Sequence, residues 1–356
     1  MDIERIIKEG VLAQEAYPAE ERPFRIKLDA NENPYPLHPS LKRLIFERLE
    51  GVSLNRYPAP GSPGLRAAFA RYYGVDEEMV IMGNGSDELI QILLTAVGAS
   101  SPCTILLPTP TFAMYRIISL NTGYRVAEVP LNERFDLDAD AMLAAIAEAK
   151  PSIIFLSYPN NPTGGCFDRA VIEEILAASD GIVVVDEAYG NFSGKTFLHD
   201  LDRWDNLVML RTLSKVGLAA LRLGILIASP SLVHHLNKVR LPYNVNIFSQ
   251  VVGEVFVEHS EQFLGPVEKI VADRNWLSKE LTAIEGITPY PSDANFILFS
   301  CVTGKDDIYG KLLDKGILIK KFAFPAALRD CMRVTVGTTE ENKEFAESLK
   351  DIVQGE

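Results

Sequence analysis

The sequence predicts an α/β protein in two parts. The larger rests on a mainly parallel central sheet flanked by helices, and the smaller is an α/β unit assembled from the chain ends. Three observations carry this expectation. The chain has 356 residues, and at about 150 residues per domain such a length asks for about two cores. From residue 41 to about residue 230, short apolar, β-branched runs alternate with helical patterns, as parallel strands joined by crossover helices do. After Pro242 that alternation stops and a long helical stretch begins. The expected division is residues 41–247 for the larger domain, and residues 1–40 with 248–356 for an N-terminal segment plus the smaller domain.

The elements follow in order. The first forty residues read as loop, interrupted by Pro18, Pro23, Pro34, Pro36 and Pro39. Buried strands are expected at 80–82, 104–107, 124–129, 153–156, 182–185, 207–210 and 223–227, because these runs are apolar at nearly every position. Helices are expected between most of them, at 87–97, 138–147 and 169–178. The later helical stretch covers 249–284, with a break expected near Gly265-Pro266. Short strands then fall at 295–299, 317–320 and 333–336, and an amphipathic helix at 340–352.

Composition excludes several classes of function. Hydrophobic residues make up 47% and charged residues 23%, the balance of a folded chain rather than a disordered one. Lys and Arg total 35 against 48 Asp and Glu, a net charge of -13, so no long basic surface for nucleic acid is expected. An anionic small molecule can still bind through a few placed Arg, Lys and backbone N–H groups. The mixed charge of Met1-Asp2-Ile3-Glu4-Arg5 argues against a signal peptide. The most apolar stretch, 216–233, holds Arg222, Gly224 and Pro230, which suits a buried strand and helix rather than a membrane span. Cys103, Cys166, Cys301 and Cys331 form no C-x-x-C pair, and the histidines show no metal spacing. Reduced thiols, a cytoplasmic location and no metal are expected.

Four polar clusters fall where strands end, which is where open α/β sheets bind ligands. Gly83-Asn84-Gly85-Ser86-Asp87-Glu88 joins a strand to a helix, so glycines allow close approach and helix-opening N–H groups can meet an anion. An ordinary Ser or Asp N-cap explains the same residues. Ser157-Tyr158-Pro159-Asn160-Asn161-Pro162-Thr163-Gly164-Gly165 follows a strand and needs no function as a turn. Asp186, after Val183-Val184-Val185 and before Glu187-Ala188-Tyr189, is a partly buried carboxylate that asks for a cation. Lys215, in Arg211-Thr212-Leu213-Ser214-Lys215-Val216, has apolar neighbours, hydroxyls beside it and Arg222 seven residues later. That setting suits an activated amine, although a solvated lysine reads the same way. A Rossmann dehydrogenase is set aside, because Gly83-x-Gly85 lacks a third glycine and no acidic residue follows a second strand at the required spacing.

Taken together, the clusters resemble the pyridoxal-phosphate-dependent enzymes of the aspartate aminotransferase type, over nearly the whole chain. The resemblance implies the fold type I architecture and pyridoxal 5′-phosphate as cofactor. It makes Lys215 the lysine that holds the cofactor as a Schiff base and later moves the substrate proton, which requires a neutral amine. It makes Asp186 the partner of the pyridine nitrogen, and Asn161 and Tyr189 the donors to the ring's phenolic oxygen. Gly85, Ser86, Asp87, Thr212, Ser214 and Arg222 would form the phosphate cup, and Phe112 would stack on the ring. Many relatives place the phosphate arginine eight residues after the lysine, whereas here the interval is seven.

Within that family the chain is most similar to the histidinol-phosphate aminotransferase branch. The segments that carry this are Leu28-Asp29-Ala30-Asn31-Glu32-Asn33-Pro34, Arg56-Tyr57-Pro58, Gly83 to Glu88, Thr212 to Arg222, Asp293-Ala294-Asn295-Phe296 and Arg333-Val334-Thr335-Val336-Gly337-Thr338. The branch moves an amino group from glutamate to imidazole-acetol phosphate, giving histidinol phosphate in histidine biosynthesis. Arg333, which alternates with Val334 and Val336, would grip the substrate's distal anion. Lys320 stands where the branch often has a second arginine, so the charge is kept but the two-pronged fork is lost. Tyr17 would reach the substrate phosphate. Tyr57 would cross a two-fold interface to the partner's cofactor phosphate, which implies a homodimer. An aromatic amino-acid aminotransferase and a threonine-phosphate decarboxylase share these features and stay open. A non-enzymatic regulator on this fold would carry an extra DNA-binding domain, for which the chain has no room, and idle relatives commonly lose the lysine.

Overall fold

Two sheets organise the chain in a computed structural model that describes residues 3–12, 24–98, 103–301, 307–323 and 325–355. The strands are β1 (Ile26–Leu28), β2 (Val80–Asn84), β3 (Thr104–Thr109), β4 (Arg125–Pro130), β5 (Ile153–Ser157), β6 (Ile182–Asp186), β7 (Leu207–Thr212), β8 (Leu223–Ile227), β9 (Ile287–Pro289), β10 (Phe296–Cys301), β11 (Ile317–Lys321) and β12 (Cys331–Thr335). The larger sheet has seven strands in the order β2-β8-β7-β6-β5-β3-β4. β8 runs antiparallel to both neighbours, and the pairs from β7 to β4 are parallel.

The apolar runs explain the layering. Val183 and Val185 enter one core with Ile154, Leu156, Leu207 and Met209. Val184 enters the other with Ile153, Phe155, Val208 and Leu210. A strand apolar at every position is satisfied only when both faces are covered. Each fully buried Val or Leu contributes about 1.5–3 kcal/mol relative to exposure. Helices Ser86–Ala96 and Ala113–Thr122 cover one face through Leu89, Leu93 and Ile118. Helices Ala139–Ala149 and Arg169–Ala178 cover the other through Met142, Ile146, Ile172 and Ile175. The α/β class and the mainly parallel sheet are as the sequence predicts.

Two expectations are corrected. The first forty residues are not all loop: Ile26–Leu28 forms β1, which pairs in parallel with β11 at the edge of the five-stranded sheet β1-β11-β12-β10-β9. The helical break falls at His259 rather than at Gly265-Pro266, giving helices Ile247–Glu258 and Ser260–Thr282 with Pro266 inside the second. Proline in a helix loses one hydrogen bond, at about 3 kcal/mol. Burial of Phe263, Val267 and Ile270 around it offsets that loss. Helix Ile247–Glu258 packs on helices Pro39–Glu50 and Pro63–Tyr73, and its Val252, Val255 and Phe256 join the larger core. The last helix, Thr339–Gln354, opens on a capping box between Thr338 and Glu341.

This topology brings the polar clusters to one rim. Because β8 runs backwards, its start lies beside the ends of β2 and β7: Leu223 pairs with Asn84 and Gly224 with Thr212. In the smaller sheet Arg333 pairs with Leu298 on one side and Lys320 on the other. Strand alternation then sends Met332 and Val334 into the core beneath the sheet while Arg333 faces the other way.

Candidate active site

Asp186 ends β6 and is 3% exposed. The sequence asks for a cation here, and among the described residues none lies within ion-pair distance. Tyr115 Oη donates to Oδ2 at 2.7 Å, and the Ala188 N–H donates to Oδ1 at 3.0 Å. Burial pushes the carboxyl up to about 6, against the pull of those two donors. The buried cation belongs instead to the next residue. Glu187 pairs with Arg211 and accepts from Thr196 Oγ1 at 2.9 Å and the Phe197 N–H at 2.7 Å. It therefore ties β6 to β7 below the rim.

Lys215 lies on an irregular turn, Ser214–Leu218, where the Leu218 N–H reaches back to the Leu213 carbonyl and Gly217 takes φ 100°. Lys215 Nζ is 3.3 Å from the Ala30 carbonyl and 5.6 Å from the centre of the Tyr189 ring. Among the described residues no carboxylate lies within ion-pair distance of it. Among the described residues, therefore, Asp186 has no cation partner and Lys215 no carboxylate partner.

The phosphate cup of the sequence reading is assembled in space. Gly85 takes φ 83° at the cap of helix Ser86–Ala96, and a Cβ there would lie 2.8 Å from Arg222 Nη2. Arg222 itself takes φ 51°, a left-handed conformation costing about 1–2 kcal/mol. Its guanidinium is 2.9 Å from Asp87 Oδ2, so Asp87 brings a carboxylate to the cup as well as an N–H. Thr212 Oγ1 donates to Ser214 Oγ at 2.9 Å and accepts from the Ser214 N–H at 3.1 Å.

Tyr189 and Asn161 each have the acceptor side taken. Asn31 Nδ2 donates to Tyr189 Oη at 2.9 Å, and Arg333 Nη1 donates to Asn161 Oδ1. This leaves the tyrosine O–H and the amide N–H groups to donate elsewhere. Arg333 is 7% exposed, its Nη2 donates to the Asp29 carbonyl at 2.6 Å, and its guanidinium lies 5.2 Å from the Phe296 ring centre. Lys320, half-buried, is its cross-strand neighbour on the same face. Phe112 caps helix Ala113–Thr122 and meets Tyr115 edge-on at 5.4 Å.

One expected residue stands apart, and another is not among the described residues. Tyr57 is 80% exposed and stacks on Tyr243 at 4.6 Å, away from the Lys215 cluster. Tyr17 lies outside the described residues. Sequence reasoning missed Tyr115 and gave Asn31 no role. Asn31 takes φ 54°, its N–H donates to Thr335 Oγ1 at 2.9 Å, and its carbonyl accepts from Asn295 Nδ2 at 3.0 Å. The usable signals were the helical spacing of Phe112 and Tyr115, and an asparagine in an otherwise loop-like segment.

The residues present fit pyridoxal phosphate group by group. A cationic ring N–H would satisfy Asp186, an aldehyde would suit the Lys215 amine, and a phenolate would accept from Tyr189 and Asn161. A phosphate would fill the cup at Gly85, Ser86, Thr212, Ser214 and Arg222.

Comparison with known proteins supports the same cofactor. The family model described as aminotransferase class I and II matches residues 25–349. The chain is 44% identical over 338 residues to histidinol-phosphate aminotransferase 2 of Nitrosococcus oceani, covering 94% of each chain. It is 40% identical over 351 residues to histidinol-phosphate aminotransferase of Aquifex aeolicus, covering 98% of each. The crystal structure of histidinol-phosphate aminotransferase from Sinorhizobium meliloti, in complex with pyridoxal-5′-phosphate, superposes with a TM-score of 0.88 at 21% identity over 98% of both chains. At that identity the last likeness speaks for the fold.

Proposed function

The chain belongs to the class I and II aminotransferases, and from that premise we propose that it transfers an amino group from glutamate to imidazole-acetol phosphate, a step of histidine biosynthesis, with pyridoxal 5′-phosphate as cofactor. The observation that carries the reading is the pairing on one rim of buried Asp186 and Lys215, which among the described residues have no cation and no carboxylate, respectively, within ion-pair distance. Pyridoxal phosphate bound there would supply an electron sink for the pair left when the substrate's Cα–H bond breaks.

The chain's own residues do the rest. Asp186 holds a ring N–H as an ion pair, with Tyr115 and Ala188 fixing the carboxylate's orientation. Tyr189 and Asn161 would donate to the phenolic oxygen, since their own oxygens already accept from Asn31 and Arg333. Lys215 Nζ holds the cofactor and then takes the proton from the substrate carbon that bears the amine. Arg333 binds the glutamate carboxylate in one half-reaction and the substrate phosphate in the other. A planar guanidinium suits both anions, and Lys320 adds a second positive charge on the same strand face. We also assign the enzyme to the cytoplasm and to a homodimer in which Tyr57 reaches the partner's cofactor phosphate. The exposure of Tyr57 supports that reading.

A half-reaction assay tests the substrate. The cofactor-loaded protein is mixed separately with histidinol phosphate, histidinol, phenylalanine and O-phosphothreonine, and loss of the cofactor's aldehyde absorbance is followed. Histidinol phosphate should react at least tens-fold more efficiently than histidinol, since a charge-assisted anion contact contributes about 2–3 kcal/mol. Preference for phenylalanine would move the assignment to an aromatic aminotransferase. Carbon dioxide release from O-phosphothreonine would move it to a decarboxylase.

A further inference from the structure

The loop that carries Asn161 is held at its far end by the smaller sheet. It closes on itself through the Gly164 N–H to the Asn160 carbonyl at 2.7 Å and the Asn160 N–H to the Gly165 carbonyl at 2.9 Å. Asn160 Oδ1 accepts from Thr111 Oγ1 at 2.8 Å, which fixes its near side to the β3 loop. The far side meets the segment that leads into β10. The Asp293 N–H donates to the Gly164 carbonyl at 2.8 Å, and the Cys166 N–H donates to Asp293 Oδ2 at 3.3 Å. Lys195 Nζ lies 3.0 Å from the same Oδ2. Gly164 takes φ 91°, and a Cβ there would sit 2.7 Å from Ser292 Oγ, so the two segments touch without room for a side chain. The Asp293 segment is itself anchored, with Ser292 Oγ donating to the Phe296 carbonyl at 2.6 Å and Arg274 Nη1 to the Ala294 carbonyl at 2.9 Å.

We infer that Asp293 is a positioning residue: by accepting the Cys166 N–H it registers the Asn161 loop against the smaller sheet, so that Asn161 meets Arg333 with its oxygen and turns its N–H groups toward the cofactor. This rests on the proposed role of Asn161 and deepens it. A two-point hold follows from the geometry. Arg333 on β12 grips the Asn161 side chain, and Asp293 before β10 grips the backbone five residues on. β10 and β12 are hydrogen-bonded neighbours, so the two grips share one rigid element. The Lys195 contact is half-exposed and contributes little by itself. The hydrogen bond to the Cys166 N–H carries the effect.

Three readouts test it. In cofactor-free Asp293→Ala, hydrogen exchange at the Cys166 amide should quicken by about tenfold or more while the amides of β5 keep their protection. In the loaded protein, the pH midpoint of the cofactor's absorption band should move in the same direction in Asp293→Ala as in Asn161→Ala, because both weaken donation to the phenolic oxygen. The double variant should add less than about twofold to the kcat loss of Asn161→Ala, the non-additivity expected of residues acting in series. Asp293→Asn, which keeps an oxygen for the Cys166 N–H, should stay within about threefold of the unsubstituted protein. If Asp293→Ala does not fold, Gly164→Ala forces the loop away from Ser292, beside Asp293, and should shift the band likewise. A normal band in Asp293→Ala beside a shifted one in Asn161→Ala overturns the inference and leaves the proposed function standing. Additive losses in the double variant, or Asp293→Asn as damaged as Asp293→Ala, also overturn it. An unshifted band in Asn161→Ala overturns the assigned role of Asn161, and the inference with it.

Discussion

The Tyr115 hydroxyl donates to Asp186 Oδ2 at 2.7 Å across the end of an intervening strand. Tyr115 follows β3, Asp186 ends β6, and β5 lies between them. The ring is fully buried and stacked on Phe155 at 4.8 Å, which fixes the hydroxyl at the ends of β5 and β6. Burial, then the Asp186 carboxylate, holds the phenol well above its usual range, so the shared proton stays on Tyr115. Once ionised, Asp186 is an anion compensated, among the described residues, by two neutral donors.

A stability prediction follows, with a definite sign. The Asp186 carboxyl is raised from its ordinary 3.8 to about 6 in the folded chain. A raised acid favours folding while it is protonated, and that contribution is lost as pH rises through about 6. In cofactor-free protein, the stability advantage of Asp186→Asn over the unsubstituted chain should therefore grow between about pH 4 and about pH 6, by on the order of 2–3 kcal/mol, and stay level above that. Chemical unfolding at several pH values measures it, and a pH-independent difference would overturn the argument. In loaded protein the same substitution should weaken cofactor binding. Tyr115→Phe, which keeps the ring stack, should weaken it by about five- to tenfold.

The amine assignment has a direct chemical check. Lys215 is the lysine placed on the rim with Asp186, Thr212, Ser214 and Arg222. Borohydride reduction of the loaded protein followed by peptide mapping should place the pyridoxyl group on Lys215. A label on any other lysine would move the site.

Arg333 and Lys320 should contribute unequally to the substrate anion. Arg333 is 7% exposed and already oriented by Asn161 and the Asp29 carbonyl, so Arg333→Lys breaks both contacts along with the planar fork. Its kcat/KM for histidinol phosphate should fall by about a hundredfold. Lys320 is a more exposed point charge. Lys320→Met should cost about tenfold with histidinol phosphate and less than about twofold with unphosphorylated histidinol. Equal losses on both substrates would remove Lys320 from phosphate recognition.

How much of this was legible in the sequence depended on distance along the chain. The strands of the larger sheet could be read because burial on both faces leaves an unbroken apolar run, as in Val183-Val184-Val185. β1 could not, because three residues between prolines form a strand only when β11 offers an edge. Pro266 misled because a local breaker was weighed without the burial of Phe263 and Ile270 beside it. Lys215, Asp186, Asn161 and Tyr189 could be singled out because each lies at or just after the end of an apolar strand. Tyr115 and Asn31 could not be assigned, since their partners are fixed by strand order and by the docking of the chain before residue 36. Asp186 illustrates the limit well. The sequence correctly demanded compensation for a buried carboxylate, but the fold gave the cation to Glu187 one residue later.

The final prediction concerns assembly. Tyr57 is 80% exposed, and Leu54, Leu241 and Tyr243 on loops and Phe248 at the start of helix Ile247–Glu258 are exposed too. Exposed apolar side chains grouped in this way ask for a partner surface. Stacking on Tyr243, with the Gly61 N–H tied to the Pro242 carbonyl at 3.2 Å, holds the Tyr57 ring rigidly outward. A phenol so held can add a donor to a phosphate dianion in another subunit, and it meets none of the cup residues of its own chain. If the active unit is a homodimer with two shared sites, each uses Lys215 from one chain and Tyr57 from the other. Lys215→Ala and Tyr57→Ala proteins should each be impaired alone. After random remixing about half the dimers are mixed, and each mixed dimer rebuilds one of its two sites, so activity should recover to about a quarter of the unsubstituted level. Mass spectrometry of intact dimers verifies the exchange. Recovery no greater than the residual activity of Tyr57→Ala, with exchange complete, would place Tyr57 within its own chain's site or outside catalysis altogether.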